Sequence, residues 1–153
     1  FSGYKKREQR READKIIRNF IHSRLQEARN ALQDIYRVVA DSEQSGRLKV
    51  IDPLIAVFDR VSERVNHASY GYHGFFDAIK IEEADLDRMI AFDTQLVNGA
   101  KGLAERVNNF KAQVEARKFD TFDADMLGLR NVIEGFERTF DERKDVIDGV
   151  EVG

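Results

Sequence analysis

The sequence predicts an all-α fold, an antiparallel four-helix bundle with coiled-coil-like packing and a long, projecting N-terminal helix. Three observations carry this. Apolar residues recur at alternating steps of four and three over most of the 153 residues, the spacing that gathers an apolar stripe on one helix face. Charged residues make up 35 % of the chain and there is one proline, so long stretches are both highly charged and unbroken, as in extended helices. Turn-forming and capping residues fall between the stripes. The length suits one domain over 1–153.

The first helix is expected at about 4–43, on the stripe Ile17, Ile21, Leu25, Ala28, Leu32, Ile35 and Val39. Asp41 to Gly46 supplies turn residues, and Gly46 is placed to stop the helix. The second helix is expected at about 53–80, with Asp52 as its cap and Pro53 at the first helical position, where its missing N–H has no partner to lose. Its stripe is Leu54, Phe58, Val61, Val65, Ala68, Tyr72, Phe75 and Ile79. The third, at about 83–116, carries Leu86, Met89, Ile90, Leu96, Ala100, Leu103, Val107 and Phe110. Arg117 to Thr121 connects it to the fourth: two cations end one helix and a cap opens the next. The fourth, at about 121–149, carries Phe122, Met126, Leu129, Ile133, Phe136, Phe140 and Ile147.

The joint between the second and third helices is the weakest. Lys80 to Asp85 holds no Gly, Pro, Ser or Thr, although its acids suit a first helical turn. Three arrangements compete: a tight turn at 80–84, which gives four helices and is preferred; a break at 69–74, which shortens the second helix; and one helix continuous through both. No internal repeat is apparent at periods of 20–50 residues.

Composition narrows function by exclusion. No run of 18 apolar residues suggests a transmembrane helix, and the N-terminus lacks a secretory signal pattern. With no cysteine there is no disulfide and no thiolate metal site, and the expected location is cytoplasmic. The chain begins with Phe1 rather than Met, which fits a processed or truncated piece or a fusion remnant at Ser2-Gly3.

Two segments stand out as candidate binding sites. The net charge of −3 hides an asymmetry: Lys5 to Arg11 holds five bases and one acid, whereas Asp120 to the C-terminus holds ten acids and four bases. Lys5, Lys6, Arg7, Arg10 and Arg11 crowd a helix N-terminus, where the dipole disfavours cations. No apolar stripe covers this segment, so 1–13 is expected to project past the bundle. These five residues are candidates for binding a protein partner, anionic membrane headgroups or nucleic acid. The overall acidity and the lack of interleaved aromatic residues argue against a dedicated nucleic-acid binder. A membrane segment preceding Phe1 would make this cluster its cytoplasmic flank. The second segment is Tyr70, Gly71, Tyr72, Gly74 and Phe75, a candidate groove or close-packing segment. With Gly99, Gly102, Gly128 and Gly135, its two glycines give up on the order of 5 kcal/mol of helix preference. Close helix approach or room for large neighbours is the ordinary compensation.

Catalytic and metal patterns are absent. A di-iron bundle needs Glu-x-x-His on two helices, and no such pair occurs. Glu63 with His67, and His73 with Asp77, fall outside the apolar stripe as surface pairs. His22 flanks the first stripe without a Ser–His or Cys–His signal and is expected to be structural or exposed, not catalytic. Hydrolase, Rossmann and P-loop motifs are missing, so no cofactor, metal or catalytic residue is expected. Asp93 and Arg143 interrupt the third and fourth stripes. A buried charge needs a partner, so they either pair or mark where a stripe turns to solvent.

The leading expectation is a non-enzymatic helical interaction or scaffold module, binding a protein partner or a second copy. The alternative is attachment to an anionic surface through the basic start. A bundle enzyme or ligand carrier, with 70–76 lining its pocket, ranks third.

Overall fold

The computed structural model describes the backbone of residues 7–68 and 83–152 and, within these, the side chains of 12–68 and 87–146. Four helices form: α1 Arg7–Ala40, α2 Leu48–His67, α3 Glu83–Glu115 and α4 Phe122–Val152. The described residues contain no strand. At ~1.5 Å per residue, the 34 residues of α1 span about 50 Å. The 20 residues of α2 span about 30 Å.

Both ends of α2 differ from expectation. The helix opens at Leu48, straight out of a 3-10 turn at Ser45–Arg47, and not at Pro53. Ile51 is fully buried, with Leu54, Ile55 and Phe58 following on the same face, so the apolar stripe begins upstream of the proline. Pro53 then lies in the second turn, where it costs the hydrogen bond its N–H would have given to the Lys49 carbonyl. The helix closes at His67, not at 80, because Ala68 is extended at ψ 119°. Arg18 Nη1 donates to the Ala68 carbonyl at 3.2 Å, placing a cation where the dipole favours one. A single helix continuous through α2 and α3 is thereby excluded; of the expected turn at 80–84, residues 80–82 lie outside the described residues and 83–84 open α3.

Cross-helix contacts set the directions. In α1 and α2, Arg29 Nε meets Asp59 at 3.0 Å while Gln26 Nε2 donates to Ser62 Oγ at 2.8 Å, so the two run antiparallel. Asp93 and Arg143, with the Phe110–Phe122 ring pair, make α3 and α4 antiparallel too. Between these hairpins the sense is opposite. Lys111 Nζ reaches Asp34 at 3.0 Å and Asn108 Nδ2 reaches Glu27 at 3.1 Å, so α1 and α3 are parallel neighbours. Arg60 and Arg64 reach Glu137, at 3.0 and 2.8 Å, and Arg64 also reaches Asp141, so α2 and α4 are parallel as well. Among the described residues, the backbones of the diagonal pairs α1–α4 and α2–α3 stay more than 8 Å apart.

The hairpins share one core register. Ile21, Leu25, Ala28, Leu32, Ile35 and Val39 of α1 stand 75 positions before Leu96, Ala100, Leu103, Val107, Phe110 and Val114 of α3. Ile51, Leu54, Phe58, Val61 and Val65 of α2 stand 75 positions before Met126, Leu129, Ile133, Phe136 and Phe140 of α4. All are buried. This repeat lies outside the 20–50-residue periods at which none was apparent. It is carried by the spacing of apolar positions, because few of the paired residues are identical.

The α3–α4 connection ends α3 in a Schellman turn: Lys118 N donates to the Gln113 carbonyl and Arg117 N to the Val114 carbonyl, each at 2.9 Å. The turn requires a left-handed residue, and Arg117 fills it at φ 60° where glycine is usual.

Candidate functional site

Neither candidate segment of the sequence has described side chains. Tyr70, Gly71, Tyr72, Gly74 and Phe75 lie outside the described residues, as do Lys5 and Lys6. Arg7, Arg10 and Arg11 lie on the opening helical backbone of α1. The α1–α3 register that sets Asp34 beside Lys111 places these positions level with about 84–88 of α3. That helix starts within the acid-rich run Glu83, Asp85 and Asp87. On that register the opening turns of α1 and α3 start near the same level, because the two helices run parallel.

The two charges that interrupt the stripes meet. Arg143 Nε lies 2.7 Å from Asp93 Oδ1, with side chains 3 % and 0 % exposed. By the α2–α4 register Arg143 is level with the end of α2. The ion pair thus occupies the core layer where the short helix gives way.

His22 has a partner that the sequence did not signal. Ser62 Oγ lies 3.0 Å from His22 Nδ1 and accepts from Gln26 Nε2 at 2.8 Å. His22 Nδ1 also lies 3.4 Å from the Ser62 carbonyl, so both the side chain and the backbone of Ser62 meet the ring. Ser62 is fully buried, and its hydroxyl ties α1 to α2. The sole trace in the sequence is a serine next to Val61 on the stripe of α2. Glu63 and His67 pair at 2.8 Å on the exposed surface. Among the described residues no three His, Asp or Glu side chains converge as metal ligands, and no helix is long and apolar enough to cross a membrane.

Two further features emerge at the end where the hairpins turn. Arg47 reaches from one connection to the other: Nη1 binds Asp123 at 2.8 Å and the guanidinium lies 4.9 Å from the Phe122 ring centroid, a cation–π arrangement. Beside it, the seam between α2 and α4 opens into a groove lined by Val50, Leu54, Asp123, Met126, Leu127 and Arg130. Leu54 and Met126 form its buried floor, whereas Leu127 is 60 % and Val50 42 % exposed. Farther along, Arg60 and Arg64 close the same seam with Glu137 and Asp141. Arg64 is held above its ordinary pKa, first by its hydrogen bond to Asp141 and then, against partial desolvation, by Glu137.

The glycines divide by role. A Cβ at Gly99 would sit 3.2 Å from Phe136 Cδ2, so this glycine admits an aromatic ring from α4. Gly128 lies under the Arg106 guanidinium, leaving room for a cation. Gly102 faces open space.

Comparisons with protein-family models, with curated proteins and with solved structures find no match to the chain.

Proposed function

We propose that this chain is a non-enzymatic helical interaction module that associates with a protein partner, in the first instance with itself. The observation that carries the reading is the gathering of Val50 and Leu127, two of three large apolar side chains exposed among the described residues, in one groove. Exposed apolar side chains clustered beside a polar rim are the usual mark of a protein contact. The buried polar groups support the same reading. Asp93 with Arg143 and Ser62 with His22 and Gln26 tie helices together. Coiled-coil-like packing belongs to this reading and is supported by the four-three spacing of the buried positions.

Attachment to an anionic surface through Lys5, Lys6, Arg7, Arg10 and Arg11 is the weaker alternative. The chain as a whole is acidic, with a net charge of −3.

Sedimentation velocity over a range of protein concentrations, at low and high salt, tests the proposal. The expected result is concentration-dependent association that persists in high salt, because an apolar contact is not screened. A monomer at every concentration and both salt levels refutes self-association.

A further inference from the structure

The groove between α2 and α4 has a charge pattern that selects its occupant. Along α4, Asp123 lies one turn before Leu127 and Arg130 one turn after it. Both border the groove that Leu127 overhangs. Their side chains are 83 % and 53 % exposed. Each is tied to its own chain only by a surface pair: Asp123 to Arg47 at 2.8 Å and Arg130 to Glu134 at 3.1 Å. Exposed pairs of this kind contribute little and rearrange readily.

We propose that this groove is a twofold contact with a second copy of the chain, centred on Leu127, in which Asp123 of each copy meets Arg130 of the other. The inference rests on the self-association proposed above and adds its surface. Turning one α4 end for end about an axis at Leu127 exchanges the positions of Asp123 and Arg130, so acid meets base twice. Leu127, on the axis, meets its own copy, with Val50 exposed beside it, so that one patch complements itself as a twofold interface requires. A strongly acidic or strongly basic partner would meet a like charge on one side of the groove. A second copy meets an opposite charge on both. With Val50 and Leu127 as its exposed apolar side chains, the dimer is expected to be weak and concentration-dependent.

Charge exchange on the full chain tests this. Asp123→Arg gives a copy with two cations at the rim and Arg130→Asp gives one with two anions. Both positions are exposed, and circular dichroism checks that each variant is folded. Sedimentation velocity is run on the wild type, on each variant alone, and on their equimolar mixture. The expected outcome is association by the wild type, weakening of about tenfold or more for each variant alone through like-charge contact, and recovery in the mixture, where the two copies complement each other. Leu127→Asp is expected to abolish association in every combination. A wild type that stays monomeric overturns both self-association and this surface. Association by the wild type that the exchanges and Leu127→Asp leave unchanged overturns this surface alone.

Discussion

Replacing Arg143 with methionine keeps most of the side chain's length and removes the guanidinium that neutralises Asp93 at 2.7 Å. Both side chains are almost completely excluded from water, so solvent screening gives no relief. Removing one partner of a buried ion pair typically costs about 3–5 kcal/mol. Set against a total stability of roughly 5–15 kcal/mol, that loss removes a large part of the margin. It corresponds to a fall in Tm on the order of 10 °C for a domain of this size. Urea denaturation followed by circular dichroism measures it, with an unchanged m-value showing that the unfolding transition itself is preserved. The paired variant Asp93→Leu/Arg143→Met removes both charges and fills the layer with apolar groups. It is expected to come within ~1 kcal/mol of the wild type or to exceed it. The reasoning is refuted if Arg143→Met alone costs under ~1 kcal/mol, or if the paired variant loses as much as the two single changes added together.

Arg117→Gly should stabilise the chain by about 1 kcal/mol, because the left-handed φ of 60° strains any residue with a Cβ; thermal denaturation reads the gain. Gly102→Ala should also gain about 1 kcal/mol of helix preference, since its Cβ meets nothing. Gly99→Ala should gain less, because its Cβ would sit 3.2 Å from Phe136, and the order of the two Tm values decides. Lys111 is held above its ordinary value of 10.5, first by its hydrogen bond to Asp34, then by the Coulombic pull of Asp34 and more weakly Glu115, against desolvation. A raised cation stabilises below its unfolded pKa and loses that contribution as pH rises through the folded one. The stability difference between wild type and Lys111→Met should therefore stay flat from neutral pH to about pH 9 and shrink above about 10.5.

Much of the fold is legible in the sequence because helical periodicity is a local property. Most stripe residues of α1, α3 and α4 that lie among the described side chains are buried, from Ile17 to Phe140, with Ile90 only half-buried, since each stripe needs only its own chain to place an apolar face. Asp93 and Arg143 are recognisable as misfits for the same reason: they break a pattern that their neighbours establish. The start of α2 is misplaced because Pro53 is a conspicuous opening signal, whereas the burial of Ile51 depends on the helices around it. The end at Ala68 is hidden for a similar reason, since Arg18, a residue of another helix, donates to the Ala68 carbonyl.

Heptad spacing determines that helices form and which face of each is apolar, but it is silent on neighbours and on direction, because one apolar stripe packs acceptably against another in either sense. Long-range polar contacts, from Lys111 to Asp34 and from Arg64 to Glu137 and Asp141, accompany the parallel placement of α1 with α3 and of α2 with α4. The tie between His22 and Ser62 exists only once α1 and α2 are laid side by side. The same holds for the groove at Leu127: a leucine next to a stripe acquires meaning only when the backbone of α2 brings Val50 alongside and leaves both exposed.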